Sequence, residues 1–242
     1  MGYGQETRIQ IGPAMTPMVK LFLGLNFGVY LLSTLDRTLK YYLLDQWFSL
    51  IPAAVTGGYQ FWRLVTYMFL HGPSPLHILF NMFVLWMFGP EVERALGRRR
   101  FVSYYFFTGI GAGLCSYAIH PWSDVPVVGA SGAMYGLLLA FALFFPEREL
   151  LLFFVLPIKA KYLVVLTVVA ELVFSVSGAR DGIAHAAHLG GLAFGYVYLK
   201  RRTLLPDVKY YWLRLRGWWY RRKFKVYTSD GKPKRGNPRN YN

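Results

Sequence analysis

The sequence predicts an all-α membrane protein of six transmembrane helices, and three observations carry that expectation. Of its 242 residues 55% are hydrophobic and only 16% charged, with a mean hydropathy of +0.30, which is too apolar for an ordinary soluble domain of this length. Six apolar runs lie near 19–35, 76–92, 101–119, 131–145, 161–177 and 184–200, each of the order needed to cross or nearly cross a hydrocarbon core of about 30 Å. The Lys and Arg residues between those runs alternate in density from one side to the other, as the positive-inside rule requires.

In chain order, residues 1–18 carry little charge, and the first apolar run has no small-residue cleavage pattern before it continues into Tyr30-Leu31-Leu32. The reading is an uncleaved first span preceded by a cytoplasmic segment. The loop from Asp36 to Pro75 mixes aromatic with polar residues, as in Trp47-Phe48 and the run from Tyr59 to Tyr67, which suits short helices lying in the interface. The loop after the second span holds Arg94, Arg98, Arg99 and Arg100, and the loop after the fourth holds Arg148, Lys159 and Lys161. The third loop has no basic residue and the fifth only Arg180, so both termini are expected in the cytoplasm.

The tail decides the sign of the net charge of +15, because 14 of the 27 Lys and Arg fall between Lys200 and Arg239. Basic residues there are interleaved with Tyr210, Tyr211, Trp212, Trp218, Trp219 and Tyr220. Beside a membrane domain this pattern fits anionic lipid headgroups, and no nucleic acid is expected as a partner. The organisation is therefore a cytoplasmic segment 1–18, a six-span domain 19–200 and a basic cytoplasmic tail 201–242.

Chemistry concentrates at one depth. Ser131 lies 15 residues before Pro146, where a helix breaker and charges mark the inner surface, or roughly 22 Å at about 1.5 Å per residue. His77 lies 14 residues before Glu91 and His188 lies 12 before Lys200, giving about 21 Å and about 18 Å. Asn81 follows His77 by one helical turn on the same face. Three spans running in the same direction thus bring a hydroxyl and two imidazoles to one level inside the membrane. On the fourth span Gly132 and Gly136 form a small-residue face, and Gly191 and Gly195 form another on the sixth, so those two helices are expected to touch.

Gly129-Ala130-Ser131-Gly132, the run Ala187-His188-Leu189-Gly190-Gly191 through Gly195, His77-Ile78-Leu79-Phe80-Asn81 and Trp62-Arg63 together resemble the rhomboid intramembrane serine proteases, over about residues 19–200. The resemblance implies a six-span bundle with an interfacial first loop and a Ser-His dyad that cleaves transmembrane protein substrates. Matched residue by residue, it makes Ser131 the nucleophile and His188 its general base. The chemistry agrees, since a serine hydroxyl needs a base to take its proton and an imidazole does this near neutral pH. The tetrahedral oxyanion needs donors, which the Ser131 backbone N–H, His77 and Asn81 supply in this reading. No acid occupies a motif position beside His188, so two residues rather than three form the expected set. Trp62, Arg63 and Glu93 match positions that are structural in the family. No cofactor or metal is implied, and a prokaryotic plasma membrane is the expected location, from an N-terminus unlike a transit peptide and from six spans without a seventh.

Other residues compete for attention. His185, with His77 and His71, invites a metal reading, but there is no HExxH and no cluster of carboxylates or cysteines. His185 is read as a helix-start residue near water, His120 as a loop residue and the single Cys115 as packing. Glu171, about 15 Å deep in the fifth span, is read as a protonated or hydrogen-bonded structural glutamate, with orientation of a histidine as the minor alternative. Residues 175–182 are read as a hinge that lets the fifth span move. The alternatives at the level of function are an inactive rhomboid-like protein that binds membrane helices, and a transporter using its intramembrane His, Asn and Glu.

Overall fold

The structure, a computed structural model, describes residues 13–152, 155–176 and 182–204. Its helices are α1 (Pro17–Thr38), α2 (Leu43–Phe48), α3 (Pro52–Gly58), α4 (Arg63–Thr66) running into a 3-10 turn at Tyr67–Phe69, α5 (Pro75–Leu96), α6 (Arg98–Ile119), α7 (Ser131–Phe144), α8 (Ala160–Val176) and α9 (Gly182–Leu204). Each of the six apolar runs is thus helical, and the first loop folds into short helices. Proline opens α1, α3 and α5, where its missing N–H leaves no hydrogen bond unmade. Gly97, with φ +78°, lets α5 end and α6 begin with a single residue between them.

The fold is mostly helical rather than all-α. Between α7 and α8 the chain forms an antiparallel ribbon of β1 (Glu149–Leu152) and β2 (Leu156–Lys159), in register Glu149 to Lys159 and Leu152 to Leu156. At its foot Lys159 and Lys161 both bind Glu147, which holds that carboxyl at about 2, well below the usual range. The chain divides into two units, Met1–Leu199 and Lys200–Asn242, and of the second only the end of α9 is among the described residues. The basic tail beyond Leu204, the first twelve residues and residues 177–181 of the expected hinge lie outside the described residues.

The core is apolar, yet polar groups are buried within it and large apolar side chains face outward. Asn26, Ser33, Thr108 and Ser116 are buried, together with Arg63, Glu93 and Glu171, while Leu32, Phe80 and Val173 point outward at 59%, 65% and 60% exposure. Among the described residues, α1 and α5 are long and apolar enough to cross a membrane, and α7 is a shorter apolar helix.

α7 is the axis of the packing and touches α5, α6 and α8. Its approach to α9 is set by backbone meeting backbone, because a Cβ on Gly191 would lie 2.0 Å from the Gly132 carbonyl oxygen and one on Gly195 would lie 3.3 Å from the Gly136 Cα. The two small-residue faces do not simply interlock, however. A Cβ on Gly132 or Gly136 would strike Ala112 or Thr108 of α6, at 2.2 and 2.7 Å. Glycines of α7 therefore admit α6, and glycines of α9 admit α7.

Far from that contact, Glu93 near the end of α5 ties down the start of α1. Its carboxylate accepts the Val19 N–H at 3.2 Å, the Met18 N–H at 3.1 Å and the Thr16 hydroxyl, satisfying donors that a helix start leaves open. Replacing it by Ala strands those donors, and Glu93→Ala is expected to cost about 1–3 kcal/mol, read as a lower Tm for the purified protein in detergent. Gly191→Ala overpacks the α7–α9 contact and is expected to lower stability by about 1–3 kcal/mol in the same assay, whereas an unchanged Tm would mean the two backbones are not pressed together.

Candidate active site

Ser131 is the first residue of α7, and the segment leading to it is held from two sides. Val127 exchanges both backbone hydrogen bonds with Leu50 of the first loop, at 2.9 and 2.8 Å, and the Gly129 N–H donates to the Tyr67 carbonyl at 3.0 Å. Gly129 itself has φ +120°, a conformation side chains rarely adopt, and a Cβ there would lie 2.7 Å from Nε2 of His77. Only glycine fits both demands. The chain then turns into α7 with the serine hydroxyl at the edge of a cavity of about 540 Å³.

The structure brings Ser131 and His188 together, with Oγ 2.8 Å from Nε2. The imidazole lies flat on the ring of Tyr135, with centroids 4.3 Å apart and planes inclined by 11°. Tyr135 stands one turn after Ser131 on the same helix face, so α7 supplies both the hydroxyl and the plate against which the imidazole rests. On the far side of the ring, His188 Nδ1 lies 2.9 Å from Oε1 of Glu171, which also accepts the Tyr135 hydroxyl. The other carboxylate oxygen lies 2.6 Å from Nδ1 of His185.

Here the structure departs from the sequence reading. An acid does stand beside His188, supplied by α8 rather than by any position in the motif. His185 belongs to the first turns of α9, as expected, and its partly exposed ring also contacts Glu171. Glu171, His185 and His188 present ligand atoms all within 4.8 Å of one another, a donor set that zinc accepts. Two ligands at about 2.0–2.1 Å from a tetrahedral zinc stand roughly 3.3 Å apart. The 2.6 and 2.9 Å separations here are instead those of groups sharing a proton.

His77 approaches from α5. Its Nδ1 accepts the Gly72 N–H at 3.2 Å, so in the neutral ring the proton resides on Nε2, the atom directed at Gly129 and the head of α7. His71, 5.3 Å away between ring centroids, is completely buried, and burial followed by the neighbouring His77 pushes it down to about 4, so it stays neutral. Asn81 lines the same cavity and spends one amide hydrogen on the His77 carbonyl at 2.7 Å, leaving the other for the cavity. Leu76, Phe80 and Val84 of α5, Met134 and Leu138 of α7 and Thr167 of α8 complete the wall. The opening is apolar, and its polar groups converge at one end.

The remaining residues singled out from the sequence lie around this site. Arg63 is buried and donates to the Gln60 side chain at 2.6 Å and to the Ser49 and Gln46 carbonyls at 2.6 and 2.5 Å, gathering the short helices of the first loop. The Trp62 indole N–H donates to the Trp47 carbonyl at 3.0 Å. Cys115 packs against Gly190, and His120 follows the end of α6. Tyr135 is the residue sequence reasoning passed over, although its spacing of four from Ser131 was the available signal.

Comparison with known proteins places the chain. A family model described as the Rhomboid domain matches residues 58–202. Rhomboid protease GluP of Bacillus subtilis (strain 168) is 33% identical over 137 residues, covering 57% of this chain and 25% of that protein. Rhomboid protein 1, mitochondrial, of Saccharomyces cerevisiae is 30% identical over 196 residues, covering 75% of this chain and 52% of that protein. Rhomboid protease AarA of Providencia stuartii is 29% identical over 178 residues, covering 65% and 61%. The matched part thus spans from 25% to 61% of the length of these relatives.

Proposed function

The chain belongs to the rhomboid family, and we propose that it is an intramembrane serine endopeptidase that cuts within or beside the transmembrane segments of other proteins. The observation that carries this reading is the 2.8 Å approach of Ser131 Oγ to His188 Nε2 at one end of an apolar cavity. In this reading α1, α5, α6, α7, α8 and α9 are the six spans and the first loop lies in the interface. The outward apolar faces meet lipid, and the buried charged groups Arg63, Glu93 and Glu171 are each hydrogen-bonded within the protein. Both termini are cytoplasmic, the membrane is a prokaryotic plasma membrane, and the basic tail holds anionic headgroups.

The chemistry follows from the placement of protons. As Ser131 Oγ attacks the scissile carbonyl carbon, its proton passes to His188 Nε2, and the carbonyl π electrons move onto oxygen. That oxyanion is met by the Ser131 N–H at the start of α7, by Nε2–H of His77 and by the free amide hydrogen of Asn81. Collapse expels the amine, which takes the proton from Nε2 and leaves an acyl group on Ser131. Water then gives a proton to Nε2, attacks the acyl carbon and frees the new carboxyl terminus, while the proton returns to Oγ. The cavity wall shared by α5 and α8 is the side from which a substrate helix enters, and the close glycine packing around Ser131 suits small residues at the cut.

The test is cleavage of a fluorogenic reporter carrying a transmembrane segment rich in Ala, Ser and Gly, by the purified full chain in proteoliposomes. Ser131→Ala and His188→Ala are each expected to lower kcat by about 10⁴-fold or more. A fluorophosphonate probe should label the wild type and not Ser131→Ala, and labelling that survives this substitution would reject the nucleophile. His77→Ala removes one oxyanion donor and is expected to cost about 10²-fold in kcat with KM little changed.

A further inference from the structure

We propose that Glu171 of α8 is a positioning residue that turns the Ser131–His188 pair into a three-membered relay, with its own carboxylate held in place by Tyr135 and His185. The inference rests on the protease reading and deepens it. A two-membered site needs only a ring near a hydroxyl; this one has a complete chain of donors and acceptors running from α7 through α9 to α8 and back.

The direction of that chain follows from the charge on the acid. In this proposal Glu171 is ionised; a carboxylate only accepts, so the Tyr135 hydroxyl, His185 Nδ1 and His188 Nδ1, all within hydrogen-bond reach of it, carry the hydrogens. With its hydrogen on Nδ1, the neutral His188 ring presents a bare lone pair at Nε2, the atom 2.8 Å from Ser131 Oγ. The opposite tautomer would place a hydrogen against the serine and leave the ring unable to take a proton. Glu171 thus selects the form of His188 that can act as a base, and it stands ready to stabilise the imidazolium formed when the serine attacks.

The second function of the cradle is to keep this acid where it is. Glu171 is only 6% exposed, and a buried carboxylate without partners is among the costliest groups a fold can hold. A glutamate needed only to fasten α8 to α9 would be served by one histidine. Here both oxygens are engaged, and Tyr135 joins the acid while also lying flat under His188. The hydroxyl and the π face of one residue therefore restrain two members of the relay together. The groups facing the carboxylate are Tyr135 from α7 and His185 and His188 from α9, with His77 across the cavity on α5.

Stepwise, nothing leaves the balance of the reaction. The serine proton moves to Nε2, the Nδ1 hydrogen stays on nitrogen throughout, and Glu171 begins and ends each cycle ionised.

The experiment compares wild type, Glu171→Gln, Glu171→Asp and His185→Leu as full-length protein in proteoliposomes, with the fluorogenic transmembrane reporter and with the fluorophosphonate probe. Glu171→Gln is expected to lower kcat by about 10²-fold or more, with KM within about twofold and the rate of Ser131 labelling falling in parallel. Glu171→Asp keeps the charge and should recover at least about tenfold of that loss. His185→Leu should lower kcat by about tenfold alone and add nothing in the Glu171→Gln background, since it acts through that acid. Wild-type kcat and labelling rate in Glu171→Gln overturn the inference, as does a loss that Asp does not recover. If Glu171→Gln cannot be purified as a folded protein, His185→Leu decides: a wild-type kcat overturns the relay. Because the nucleophile is tested separately by Ser131→Ala, an active Glu171→Gln removes the relay alone, whereas labelling that persists in Ser131→Ala removes the protease reading as well.

Discussion

The contact on which the site depends is the one between the backbones of α7 and α9, where Gly191 lies against the Gly132 carbonyl. Neither helix could come so close with a side chain between them. Ser131 precedes Gly132 and His188 precedes Gly191 by one turn, so the same approach that presses the helices together sets the hydroxyl within hydrogen-bond reach of the imidazole. Packing of this kind has no hydrophobic driving force in lipid and relies on dispersion and on backbone proximity, which makes the absence of a methyl group as specific as the presence of a functional one.

A second layer of restraint comes from outside the bundle. Arg63 collects carbonyls of the first loop, Leu50 of that loop pairs with Val127, and two residues later Gly129 is bonded to Tyr67. The segment that delivers Ser131 to the head of α7 is therefore braced by structure distant in sequence. The same segment passes Nε2 of His77 at a distance only glycine permits. The proposed nucleophile and the proposed oxyanion donor are placed by one short stretch of backbone.

Much of this was legible in the sequence, and the part that was not has a physical reason. Apolar runs of membrane length announce helices because lipid offers the backbone no other partner, and α1, α5, α6, α7, α8 and α9 fall where those runs lie. Ser131, His188, His77 and Asn81 stand out in the sequence because each sits at a fixed place in a recognisable motif, and all four line one cavity. Glu171 stands out in the sequence as a structural glutamate with orientation of a histidine only as the minor alternative, since it meets His188 across 17 residues and no periodicity links two different helices. The contact of His185 with Glu171 has no sequence signal for the same reason: the two lie on different helices. The ribbon of Glu149–Leu152 and Leu156–Lys159 escaped because four-residue strands beside charged residues have no pattern distinct from a loop. Tyr135 could have been read, because a spacing of four on one helix is a contact that sequence does encode.

The cavity beside Ser131 bears on supply as well as recognition. At about 30 Å³ per molecule, 540 Å³ has room for roughly eighteen waters. In the proposed reaction hydrolysis consumes one per bond cut, so a hydrated hollow would be a local reservoir within a solvent that otherwise dissolves almost none. A substrate peptide lying across it would displace most of that store during the proposed acylation, and departure of the amine-bearing fragment would reopen the space through which deacylating water must return. Release of the first product is then coupled to hydration of the second step by volume alone.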